Sequence, residues 1–174
     1  VAATSLLAFA FIFINLRLAV RATPVMDIFE SFESQDPLTR FREFFNERFL
    51  KYRLWGAIGL SLFLGAGASQ LWEQVLLFIN QKSFGVADPV FQYDVSSYVF
   101  GLPLYRLFVS WGFQLVIFTS FIIILFFIAT GALQLRQGRL PEVSSGAKAH
   151  LSVLLAFVAL LKAFAYRLDA MELL

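Results

Sequence analysis

The chain has 174 residues, 59% of them hydrophobic, a mean hydropathy of +0.75 and a formal net charge of +2. Such hydropathy excludes an ordinary soluble domain, and the 14 basic residues, set against 12 acidic ones and mostly flanking apolar runs, point to membrane orientation and not to nucleic acid. The absence of cysteine excludes disulfides, thiolate metal sites and a cysteine nucleophile.

The expected fold is all-α: an integral membrane bundle of about four transmembrane helices and one amphipathic interfacial helix, in a single domain over 1–174. The first predicted span covers about 1–20 and closes on Arg17 and Arg21, basic anchors of the usual kind at a helix end. Val1 already opens this apolar stretch, without the basic flank and cleavage site of a signal peptide, so the chain reads as a piece of a longer protein.

After an acidic stretch, Asp36-Pro37 has the form of a helix start, Asp as N-cap and Pro at the first helical position. From there to about residue 53, Leu38, Phe41, Phe44, Phe45, Phe49 and Tyr52 share an arc of about 140°, interrupted by Arg48. This helix lies either on the membrane surface or against the cytoplasmic face of the protein itself.

The second predicted span covers about 54–79. Glu73 falls about 28 Å from Leu54 along a helix, which places its carboxylate near the far interface. Ala57, Ser61, Gly65 and Ser69 recur every four residues in this span, a row of small side chains that lets another helix backbone approach closely.

An outer loop, about 81–103, carries Asp88-Pro89, expected to form a turn, and Asp94, expected to cap a short helix. Phe91, Tyr98, Phe100 and Pro103 belong to the same motif, its aromatics suited to the headgroup belt. Two aspartates six apart make a poor calcium site, which usually needs six to eight oxygens, so no metal is expected.

The third predicted span, about 104–135, contains 29 uncharged residues from Leu107 to Leu135, interrupted chiefly by Gln114 and Gln134. As a helix it would measure about 43 Å against a core of about 30 Å, so it must tilt or protrude. The fourth, about 148–168, carries Lys162, and its Leu, Val and Phe residues slightly outweigh the cost of about 3 kcal/mol for a central Lys. Glu73 and Lys162 are the candidate intramembrane charges: Lys162 either snorkels outward or pairs with Glu73 or Asp94.

With all four segments spanning, ten basic residues gather in the loops 21–53 and 136–149 and at their helix ends, against Lys82, Arg106 and Arg167 on the other side. The positive-inside rule then makes those loops cytoplasmic and the loop 81–105 extracytoplasmic. Val1 would lie outside, which requires a helix upstream of it.

Asp88-Pro89-Val90-Phe91, Asp94-Val95-Ser96, Tyr98-Val99-Phe100 and Leu102-Pro103, followed by Ala149-His150-Leu151-Ser152, Leu161-Lys162-Ala163 and the stretch from Asp169 to Leu174, resemble an uncharacterised family of large bacterial multi-pass membrane proteins. The pattern departs at Ser97, where Phe is expected. The resemblance implies about seven N-terminal helices before a large extracytoplasmic region, this chain corresponding to helices two to five, and it implies no established reaction.

The sole histidine, His150, lies on the opposite face from the Asp-rich loop, so no nucleophile–base–acid set forms and no enzyme activity is expected. The leading functional reading is a non-catalytic module packing within a larger membrane protein, with the lipid bilayer and other membrane helices or subunits as partners and no nucleic acid. A transporter or channel segment using Lys162, Glu73 and Gln114 is the first alternative, though no inverted repeat or broken helix is visible. An accessory subunit of a pigment or electron-transfer complex, with His150 or Gln114 near the cofactor, is the second. No cofactor is required by the sequence; a pigment or a lipid is compatible with it.

Overall fold

The computed structural model describes residues 1–23, 37–68, 71–134 and 142–173, with side chains from Tyr52 onward in the second of these stretches. The expected all-α membrane bundle is what the chain forms. Its elements are α1 (Ala2–Ala22), α2 (Pro37–Gly67), α3 (Leu71–Ile79), a π-helical turn (Ser97–Gly101), α4 (Leu102–Ala129), two paired strands of two residues each, β1 (Leu133–Gln134) and β2 (Glu142–Val143), and α5 (Ser145–Glu172). Among the described residues three helical stretches, Ala2–Ala22, Ser97–Ala129 and Ser145–Glu172, are long and apolar enough to cross a membrane, and a fourth span exists if the bent pair Tyr52–Gly67 and Leu71–Ile79 counts as one.

The core follows from periodicity. On α1 the buried residues Ser5, Ala8, Ile12, Asn15, Leu16 and Ala19 recur at three- and four-residue spacing, one stripe of a helix. Opposite them lie Leu115, Ile123, Phe126 and Phe127 of α4, with Ala57 and Leu64 of α2 and Leu154 of α5. The alanines on α1 keep that stripe shallow, which lets neighbouring backbones come close in a medium that gives no hydrophobic drive between helices. α4 is the central helix, in contact with α1, α2, α3 and α5, whereas α5 is peripheral and buries only Ala147, His150, Leu154 and Leu168.

Three boundaries differ from the expectation. Pro37 does begin a helix, but α2 runs unbroken from there to Gly67 instead of dividing near residue 53. The amphipathic stripe from Leu38 to Phe49 lies outside the described side chains.

The expected span 54–79 is broken after Gly67, and α3 departs at 52° from the direction of α2. The sequence reading of no broken helix is therefore corrected. The break follows Gly65-Ala66-Gly67, where each glycine weakens a helix by about 1 kcal/mol relative to alanine. A helix end inside a membrane bundle must have its last carbonyls satisfied by neighbours. Here Trp111 Nε1 of α4 donates to Leu64 O at 3.1 Å, and Thr4 Oγ1 of α1 donates to Gly65 O at 3.3 Å.

The third span also ends earlier than its apolar run. α4 stops at Ala129 because Gly131 adopts φ +75°, the left-handed conformation that ends helices, and Thr130 N returns to Phe126 O at 2.9 Å. Leu133 and Gln134 are strand residues, paired antiparallel with Val143 and Glu142. Ser144 then caps α5, its Oγ accepting from Ala147 N at 3.3 Å.

Candidate functional site

The described residues hold functional groups at three places: the small-residue crossing of α2 with α1, the polar pairs that join helices, and the loop before α4. At the crossing, Ala57 and Ser61 are buried and Ser61 Oγ bonds back to Ile58 O at 2.8 Å. Gly65 lies directly on α1: a Cβ added there would overlap Ser5 Oγ and stand 2.8 Å from Ser5 Cα. Ser69, the last of the row, lies outside the described residues. A second close approach, not singled out in the sequence, is at Gly146, where a Cβ would overlap Ala22 O and lie 3.0 Å from its carbonyl carbon.

His150 is buried and faces α1. Asn15 Nδ2 donates to Phe11 O at 2.8 Å, which orients the amide so that its Oδ1 meets His150 Nε2 at 3.0 Å. An amide oxygen only accepts, so Nε2 carries the proton and Nδ1 keeps the lone pair. Nδ1 is buried without a hydrogen-bond partner, and the Phe127 ring packs edge-on to the imidazole at 5.9 Å. A metal or pigment centre held by His150 would have to reach that buried Nδ1. Asn15 was hidden in the first apolar run; its only signal was being a hydrogen-bonding side chain in a predicted span.

At the other end of the bundle, Arg106 in the second turn of α4 joins the last turns of α5. Its Nη1 is 2.7 Å from Asp169 Oδ1, and its Nη2 pairs with Glu172. Sequence placed Arg106 and the end of the fourth span on one side without linking them. Opposite charges at adjacent ends of antiparallel neighbours were the signal available.

The intramembrane charges are not brought together. Lys162 is exposed, with Nζ 4.6 Å from the centre of the Tyr166 ring one turn toward the end of α5, a cation–π contact. Glu73 is exposed in the first turn of α3, where the helix dipole favours a carboxylate. Among the described residues no ion pair joins Lys162 to Glu73 or to Asp94.

Asp94 is instead the centre of the loop. It accepts from Ser83 Oγ, from Phe84 N at 3.1 Å, from Gly85 N at 3.1 Å and from Ser96 N at 2.8 Å, the last as a cap on the helical turn that follows. These bonds, that from Ser83 foremost and those from Ser96 next, hold its carboxyl well below the usual carboxylate range. Gly85, at φ +70°, makes the turn that aims its own N–H at this carboxylate.

Asp88 closes the turn with Pro89 by accepting from Val90 N at 3.1 Å and Phe91 N at 2.5 Å, and it also accepts from Tyr98 Oη at 3.2 Å. Phe91 stacks on Tyr93 and Phe100 packs near Phe84, while Pro103 stands in the first turn of α4. Both aspartates are thus engaged by the loop's own donors. Among the described residues no three His, Asp or Glu side chains gather as a metal site would need.

These motif blocks agree with what comparison with known proteins gives. The family model described as an uncharacterised protein family, UPF0182, matches residues 1–174. A UPF0182 protein of Rhodococcus opacus is 36% identical over 94% of this chain and 16% of its own length. Another, of Mycobacterium tuberculosis (strain ATCC 25177 / H37Ra), is 36% identical over 100% of this chain and 18% of its own. The chain therefore spans about a sixth of the length of the curated relatives it matches. No solved structure matches it. By a full-length family match and by relatives above the level at which descent is secure, the chain belongs to the UPF0182 family of bacterial proteins.

Proposed function

We propose that this segment is a non-catalytic membrane framework that packs within a larger membrane protein or assembly, with lipid and further membrane helices as its partners. The observation that carries the reading is the seating of Gly65 on the Ser5 backbone, a contact that only a small residue permits. In support, Asn15, His150, Arg106 and Trp111 all have partners on other helices and serve to join them.

A second reading, a transporter or channel segment, is favoured by one observation, the break between α2 and α3. Broken spans build ion and substrate sites in many transporters. One experiment separates the two. In the whole protein, Glu73→Gln combined with Lys162→Met is expected to leave abundance and detergent melting temperature unchanged, and proteoliposomes of the parent should carry no ion flux. A flux in the parent that the double variant abolishes would overturn the framework reading.

The proposed location is the bacterial inner membrane, with the loops 21–53 and 136–149 cytoplasmic and 81–105 extracytoplasmic, from the asymmetry of basic residues. Single cysteines at Ser83 and Ser34 test this in intact cells with an impermeant maleimide. Labelling is expected at position 83 alone, and labelling at 34 alone would reverse the topology.

A further inference from the structure

α4 presents Arg106, Ser110, Gln114 and Phe118 at intervals of four, a ridge about 18 Å long. Beside it runs an open groove of about 510 Å³, floored by Val109 and closed on the α5 side by Ala165 and Leu168. Its length suits three turns of a helix.

The groove is not uniformly apolar. Gln114 lies twelve residues into α4, about 18 Å from its start and so near the middle of a hydrocarbon core of about 30 Å. It is exposed, as is Ser110. Lipid offers an amide no hydrogen bond, and polar side chains at that depth almost always face protein or a water-filled cavity. A ridge that carries them belongs to the interior of a bundle larger than the one described.

The position of the chain says what covers it. Arg106 ties the last turns of α5, through Asp169 and Glu172, to the mouth of this groove, so a chain continuing from α5 starts beside it. The relatives have more than four-fifths of their length outside the matching segment. A tethered helix starting there meets the groove at high effective concentration, whereas a separate subunit would meet it only by diffusion.

Given a segment that packs within a larger membrane protein, we infer that the α4–α5 groove seats a further membrane helix of the same polypeptide, one that follows α5 and offers a hydrogen-bonding side chain to Gln114. That helix runs antiparallel to α5 and parallel to α4, as a short connection beyond the end of α5 requires. Ser110 supplies a hydroxyl one turn nearer the loop end for a second bond.

The test is photo-crosslinking in the full-length protein in native membranes, with a benzophenone amino acid at Gln114, at Ser110 in a second variant, and at Leu155 as an outward-facing control on α5. Irradiation at 114 or 110 is expected to give a product of one-chain mass whose linked peptide comes from beyond α5, and at 155 no peptide link. If the residue at 114 prevents accumulation, position 110 reads the same groove. A product of two-chain mass at 114 and 110 would overturn the assignment while leaving the packing reading intact. A link to a peptide preceding α1, or lipid adducts alone, would also overturn it, and neither touches the α1–α2 contact measured through Gly65.

Discussion

Gly65→Leu in the full-length protein should lower its membrane abundance and its stability in mild detergent by about 3 kcal/mol, the upper range for overpacking a site that cannot yield. The cause is local. A Cβ alone would overlap Ser5 Oγ and approach Ser5 Cα to 2.8 Å, and a backbone atom cannot swing aside as a flexible side chain would. Gly65→Ala should therefore already be damaging, and Ser5→Gly should restore part of the loss by removing the side chain that the new methyl meets. Gly59→Ala is the matched control, since nothing lies within 4 Å of a Cβ there and a helical alanine is favoured over glycine by about 1 kcal/mol. Leu62→Ala, at an exposed position, should change stability by about 0.5 kcal/mol or less. Equal behaviour of Gly65→Leu and Leu62→Ala on native gels and in detergent melts would show that the row is not a contact surface.

The spans were legible because bilayer thickness demands about 20 apolar residues in a row and little else mimics that. Their ends and bends were not, because the same residue types serve two purposes. Gly65 and Gly67 satisfy a spacing of small packing residues and also sit at the break of α2, and hydropathy does not separate the two roles. Thr130-Gly131 is a helix stop by its chemistry, yet the apolar residues beyond it favoured continuing α4 to Leu135.

In the outer loop, the local pattern sufficed. An aspartate before proline closes a turn with donors two and three residues on, and an aspartate before a helical run caps it, so both partners are near in sequence. The bundle's polar contacts have no such address. Asn15 and His150 are 135 residues apart, and nothing in an apolar run says which way its one amide faces. Lys162 was open to two readings, an ion pair or snorkelling toward the outer interface, and its ammonium rests on Tyr166, one helical turn nearer the end of α5, as a long snorkelling side chain can.

Asn15→Leu and His150→Leu should each destabilise the protein in detergent by about 1–2 kcal/mol, with the double variant losing clearly less than the sum of the singles. Each single change leaves a buried polar group facing hydrocarbon: the imidazole N–H without its acceptor in one case, the amide oxygen without its donor in the other. Removing both leaves no unsatisfied pair, and leucine fills most of the space beside Phe127. The coupling should fall near 0.6–1.7 kcal/mol, the range for side-chain hydrogen bonds between membrane helices. His150→Gln, which keeps a donor within reach of Asn15, should recover part of the loss, whereas a ligand to a metal or pigment centre would not be replaced by it. Strictly additive single losses, or a visible absorbance of the purified protein that vanishes in His150→Gln, would mean that His150 does something other than tie α5 to α1.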